Sequence, residues 1–122
     1  MIQSFTIPGK LPSLNEVTAW NRGNRYAAAR KKRELEAMIG WCIRHARLVP
    51  MTERVTMTIT WIEPDWRRDY DNIESAVKFV QDALVKCGII PGDSQKHLAP
   101  PVHVHDVDRL HPRVVVTLED AS

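Results

Sequence analysis

Between Val55 and Trp61 every second residue is large and apolar (Val55, Met57, Ile59, Trp61), and every residue between them is threonine. Side chains on a strand point alternately to its two faces, so this run has one face to bury and one to leave wet. Threonine is β-branched, which suits a pleated surface better than a helix. Arg54 to Glu63 therefore predicts a half-buried strand, closed by Pro64. A one-faced strand needs neighbours in a sheet and a cover for its apolar side, and the rest of the chain must supply both.

The cover is visible as two amphipathic patterns. From Asn24 to Leu48, with a start near Tyr26, residues Ala28, Leu35, Met38, Ile39, Cys42 and Ile43 follow helical spacing until Pro50. A second helix is predicted from Asp71 or Asn72 to Cys87, carried by Ile73, Ala76, Val77, Val80, Ala83 and Leu84 and stopped by Gly88. Further strands are predicted at Ile2 to Ile7, Val102 to Asp106 and Arg113 to Glu119, the last two as a hairpin around Asp108 to Pro112. Leu11 to Gly23 reads as a loop, and Pro91 to Ser94 as a turn. The order is β-α-β-α-β-β: an α+β single domain over residues 1–122, with a mixed sheet and two main helices.

At 122 residues, 43% of them hydrophobic, the chain has enough apolar side chains for one compact core. With 26% charged residues it does not have a disordered composition. No segment approaches the roughly 20 apolar residues of a membrane span, and no secretory signal is visible before Thr18. Cys42 and Cys87 both lie in apolar helical patterns and read as reduced, buried thiols. A cytoplasmic protein without membrane contact is expected.

The net charge is only +2, but its distribution is uneven. Arg22, Arg25, Arg30, Lys31, Lys32, Arg33, Arg44 and Arg47 concentrate early, while carboxylates gather in the middle and at the end. A basic face separate from an acidic pocket is the layout of a protein that holds a metal and a nucleic acid together.

The acidic part centres on Arg67-Arg68-Asp69-Tyr70-Asp71-Asn72 and on Gly88-Ile89-Ile90-Pro91-Gly92-Asp93. Two carboxylates two residues apart in an extended connector fall on one side of the backbone and can offer oxygens to one hard cation. Asp93 joins them only if the chain after the helix folds back along an axis of roughly 24 Å. Patterning alone leaves other readings open, with Asp69 at the surface, Asp71 as a helix N-cap and Asp93 as a turn former. Asp71, Ser75, Lys78 and Asp82 share one helix face. Lys78 and Asp82 are there either an exposed ion pair or, with Lys78 over the pocket, a source of positive charge for a phosphate.

The string R-R-D-Y-D-N, the following helix with K-F-V-Q-D-A-L, the turn G-I-I-P-G-D and the opening F-T-I-P-G-K-L-P-S-L-N together resemble the RusA-type Holliday junction resolvases over nearly the whole chain. The resemblance implies a RusA-like fold and a Mg²⁺-dependent endodeoxyribonuclease, with Mn²⁺ as a substitute ion. It also implies a homodimer that cuts four-way DNA junctions by paired symmetric incisions in recombination and repair. The catalytic and metal-holding carboxylates fall on Asp69, Asp71 and Asp93, with Lys78 as the catalytic lysine. Ser13 and Asn15 match positions of the family's N-terminal loop. Two departures stand out. The family lysine lies three residues after the Asn, where Ser75 stands here, and many members carry two adjacent acids at the turn, where Gly92 precedes Asp93.

Lys10, Asn15, Arg22, Arg25, Arg30, Arg67 and Arg68 are the expected nucleic-acid contacts, and Trp20, Tyr26 and Trp66 are candidates to stack on exposed bases or to pack at loop edges. His97, His103, His105 and His111 cluster late without an accompanying cysteine, so surface histidines are expected rather than a zinc site. Competing functional readings are a junction-binding protein that does not cut, a branched-DNA nuclease of relaxed choice in phage or prophage replication, and a protein-interaction module. The early arginine cluster argues against the last.

Overall fold

The computed structural model describes residues 1–121. Its elements are β1 (Ile2–Pro8), α1 (Leu14–Arg22), α2 (Arg25–His45), β2 (Val55–Glu63), α3 (Tyr70–Glu74), α4 (Val77–Lys86), β3 (Val102–Val107) and β4 (Arg113–Asp120). The strands form one mixed sheet in the order β1-β4-β2-β3. Strand β4 is antiparallel to both β1 and β2, whereas β3 runs parallel to β2.

The threonine alternation of β2 sets the two sides of the sheet. Val55, Met57, Ile59 and Trp61 are buried with Phe5 and Ile7 of β1 and Val114, Val116 and Leu118 of β4. This face meets Ile39 and Ile43 of α2 and Val80 and Leu84 of α4 in one core. Thr56, Thr58 and Thr60 remain partly exposed on the other side. Among the described residues no helix is long and apolar enough to cross a membrane.

Gly88 ends α4 as the sequence predicts. It takes a positive φ of 72°. Its N–H donates to the Val85 carbonyl at 3.0 Å and the Ile89 N–H to the Leu84 carbonyl at 3.0 Å. That pair of bonds is the Schellman arrangement, which favours glycine at the left-handed position.

Three expectations need correction. Leu11 to Gly23 is not all loop: α1 occupies most of it, opened by a capping box in which Ser13 Oγ accepts from the Glu16 N–H and Glu16 reaches back to the Ser13 N–H. The predicted second helix is two pieces. Near Ser75, whose hydroxyl donates to the Asn72 carbonyl at 3.2 Å, tighter bonds run from Ala76 N–H to Ile73 and from Phe79 N–H to Ala76. The last two strands form no hairpin, because β2 and β4 pair with each other and leave β3 on the far side of β2. The parallel β2–β3 pairing requires a long crossover, and α3, α4 and the segment after them provide it.

Candidate functional site

Glu63 ends β2 inside the protein, with its side chain only 8% exposed. A buried carboxylate needs a partner, and Arg68 forks onto it, Nε to Oε1 at 2.6 Å and Nη2 to Oε2 at 2.7 Å. The remaining Nη1 donates to the Leu11 carbonyl at 3.1 Å. One guanidinium thus ties the connector after β2 and the loop before α1 to the end of the strand. Arg68 is expected as a DNA contact, but its donors are committed internally and it acts as a brace. Arg67 does point outward, with its side chain 89% exposed.

The brace holds the acidic connector over the mouth formed by β2 and β3. Asp69 occupies the position before α3 without a side-chain capping bond, and Asp71 lies in the first turn, accepting from the Asn72 N–H at 3.0 Å. Neither forms an ion pair among the described residues. Both line an open cavity of about 430 Å³, shared with Asp65, Trp66, Asp106 and His105. Asp69 and Asp71 thus share a cavity, but Asp71 stands in the first turn of α3 rather than in an extended connector, so the strand-like spacing expected to pair them does not apply.

Asp93 is elsewhere. It is ion-paired with Lys78, whose Nζ also lies 3.3 Å from Asp82, and it lines a different cavity, beside Arg54 and Gln81. The hydrogen bond from Lys78 holds the Asp93 carboxyl below the ordinary carboxylate range, and the same bond, with Asp82 adding to it, raises the Lys78 ammonium. No group of three or more His, Cys, Asp or Glu side chains is placed to hold a metal ion among the described residues. The cage expected from Asp69, Asp71 and Asp93 is thus divided: two acids share a cavity, and the third neutralises a lysine. The reason lies in the chain after Gly88. Ile89 and Ile90 are buried, Met51 N–H donates to the Ile89 carbonyl at 2.7 Å, and Val55 N–H donates to the His97 carbonyl at 2.9 Å. These bonds pin the segment to the beginning of β2, while Asp69 and Asp71 follow its other end.

The histidines divide as well. His103 and His105 share a sheet face, and both turn Nε2 toward Glu74 of α3, at 3.9 Å and 2.6 Å. Trp61 Nε1 donates to His103 Nδ1 at 2.9 Å, so the neutral ring carries its proton on Nε2. Burial, the largest influence, pushes the His103 pKa down. His105 stands against Tyr70, ring centroids 4.5 Å apart, and its buried Nδ1 has no partner.

Sequence reasoning missed Asp65, His105 and Asp106 as neighbours of the acid pair, and Glu74 as the partner of His105. Glu74 is three residues after Asp71, a helical neighbour that spacing could have suggested. His105 and Asp106 arrive only through the parallel register, which sets them opposite Trp61 and Ile62, and no local pattern announces that.

Of the remaining expected contacts, Lys10, Asn15, Arg22, Arg25 and Arg30 are all exposed. Arg25 places its guanidinium carbon 5.3 Å from the Tyr26 ring centroid. Comparison with protein-family models and with curated proteins gives no match to this chain.

Proposed function

We propose that this chain is a Mg²⁺-dependent endodeoxyribonuclease that cuts branched DNA, four-way junctions above all, as the resemblance to the RusA-type resolvases implies. The observation that carries the reading is the pair Asp69 and Asp71, without a cationic partner among the described residues, on one open cavity. Mg²⁺ favours carboxylate oxygens and is commonly held by one or two of them together with substrate phosphates. Asp69 and Asp71 fit that requirement, and Mn²⁺ would substitute. Asp93 does not fit as a ligand in this arrangement, because Lys78 occupies it.

The bound ion would supply charge neutralisation on the phosphate and an acidified water. The chain's own residues do the rest. Lys78, expected as the catalytic lysine, lines the cavity beside α1 rather than the acidic one and is paired with Asp93 and Asp82, so it would reach a phosphate at Asp69 and Asp71 only if substrate released it. Asp93 acts as its positioning residue. Lys10, Asn15, Arg22, Arg25, Arg30 and Arg67 hold DNA backbones, which makes binding salt-dependent. Symmetric incision of a four-way junction requires two sites related by a two-fold axis, hence a homodimer. The unbridged thiols of Cys42 and Cys87 accord with the reducing cytoplasm where such an enzyme would work in recombination and repair.

A second reading, a junction-binding protein that does not cut, draws on the Lys78–Asp93 pair, which leaves the acid cavity one expected ligand short. Labelled four-way junction, flap and linear duplex, each incubated with Mg²⁺ or EDTA, separate the readings. Paired symmetric nicks in the junction, only with Mg²⁺, are expected. Equal cutting of flaps would assign relaxed specificity, and binding without cutting in Mg²⁺ or Mn²⁺ would favour the second reading.

A further inference from the structure

From Val17 to Arg33 the chain carries six basic side chains and no acid. This stretch makes up most of α1, the turn at Gly23 and Asn24, and the start of α2. Its inner side does not close onto α4. A cavity of about 460 Å³ remains there, bounded by Trp20, Ala28, Ala29 and Phe79 as an apolar wall. Its volume falls within the roughly 300–1,000 Å³ typical of small-ligand sites.

The polar groups around that wall restrict the occupant. Asn21 and Ser75 offer hydrogen bonds, Arg25 and Lys32 bring positive charge without an acid partner among the described residues, and the one carboxylate on the lining, Asp82, is 3.3 Å from the Lys78 ammonium beside it. Lys31 places its ammonium 5.4 Å from the Trp20 ring centroid. A fitting ligand is flat and apolar in its body, polar at its edge and anionic at one end. An acidic peptide side chain has the charge without the flat body. A nucleotide has all three, and only an unpaired one can leave a duplex to reach such a recess.

We infer that this cavity takes one unpaired nucleotide of DNA, its base against Trp20 and its phosphate toward Arg25 and Lys32. The inference rests on the DNA-cutting reading and adds how a branch is distinguished from a duplex. Ser75 on the wall of this cavity and Asp71 on the acidic one belong to the same short stretch of chain. A nucleotide held on one side therefore fixes the strand on the other.

The test uses fluorescence anisotropy in EDTA, so it needs no cutting. The probes are a fork with four unpaired thymidines, the same fork with four abasic residues, and a blunt duplex. Wild type should bind the thymidine fork about tenfold more tightly than the abasic fork, the scale of one base–aromatic stacking contact. Trp20→Ala should lose that preference, Trp20→Phe should keep most of it, and Lys32→Gln should weaken both forks alike. If Trp20→Ala lacks the wild-type circular dichroism and melting transition, Trp20→Leu takes its place. Equal wild-type binding to both forks, or a preference that survives loss of the indole, would overturn the inference while leaving the nuclease reading intact. Absence of binding to every DNA would overturn the DNA reading itself.

Discussion

Lys78 on α4 pairs with Asp93, fifteen residues further along the chain, and lies 3.3 Å from Asp82 one helical turn away. One ammonium thus gathers two carboxylates and fixes the turn after α4 relative to the helix. The contact holds Asp93 where the burial of Ile89 and Ile90 has already carried the turn, on a different cavity from Asp69 and Asp71.

The Asp93 carboxyl should therefore titrate below its ordinary 3.8 in the folded protein. A depressed folded pKa gives a stability contribution that is full above the unfolded value and is lost as pH falls through the folded one. Carbon-detected NMR titration should find the low value in wild type and a rise toward 3.8 in Lys78→Met. An unchanged value in the variant would show that the lysine is not its cause.

Arg68 should matter for stability before it matters for DNA. Arg68→Ala leaves Glu63 buried and unpaired, a loss of about 3–5 kcal/mol for a broken buried pair. Arg67→Ala, at an exposed position, should stay within about 0.5 kcal/mol. Urea denaturation of the two variants checks the contrast, and equal small losses would contradict the bracing role.

His103 should make the protein less stable in mild acid. Its folded pKa is lowered from 6.5, chiefly by burial, so the unfolded chain binds the proton more readily. The neutral ring's contribution is full above pH 6.5 and falls as pH drops from there through the folded value. His103→Gln, which keeps an acceptor for Trp61, should show a shallower fall of melting temperature between pH 7.5 and about 5. A slope equal to wild type would assign the acid sensitivity to other groups.

The exposed arginines should act additively and without sequence preference. Arg22→Ala and Arg30→Ala should each reduce the slope of log affinity against log salt by about one. Anisotropy titrations at several salt concentrations measure it, and unchanged slopes would remove these residues from the DNA-binding surface.

What could be read in advance follows from how local each signal is. The alternation in β2 and the glycine after α4 depend on neighbours a few residues away, so both were legible. Helix α1 carries only a weak apolar signal, because none of its residues is fully buried. Its capping box at Ser13 and Glu16 was the available signal. The place of β3 beside β2 depends on a crossover of several dozen residues, and the late strands looked like a hairpin for that reason. In the site, Asp69 and Asp71 line one cavity because they stand at the start of α3, not because an extended connector turns them the same way. The place of Asp93 is not legible locally, because it depends on where Ile89 and Ile90 find the core and on Lys78 having a carboxylate within reach.

The most direct measurement compares wild type with Asp71→Asn on a four-way junction in Mg²⁺, with binding to the same DNA followed in EDTA. Wild type should give paired nicks near the crossover, and the variant should bind at least as well yet leave the strands whole, because one ligand charge is gone while repulsion of the phosphate falls. A variant that cuts at the wild-type rate, or a wild type that leaves the junction intact in both Mg²⁺ and Mn²⁺, would contradict the account.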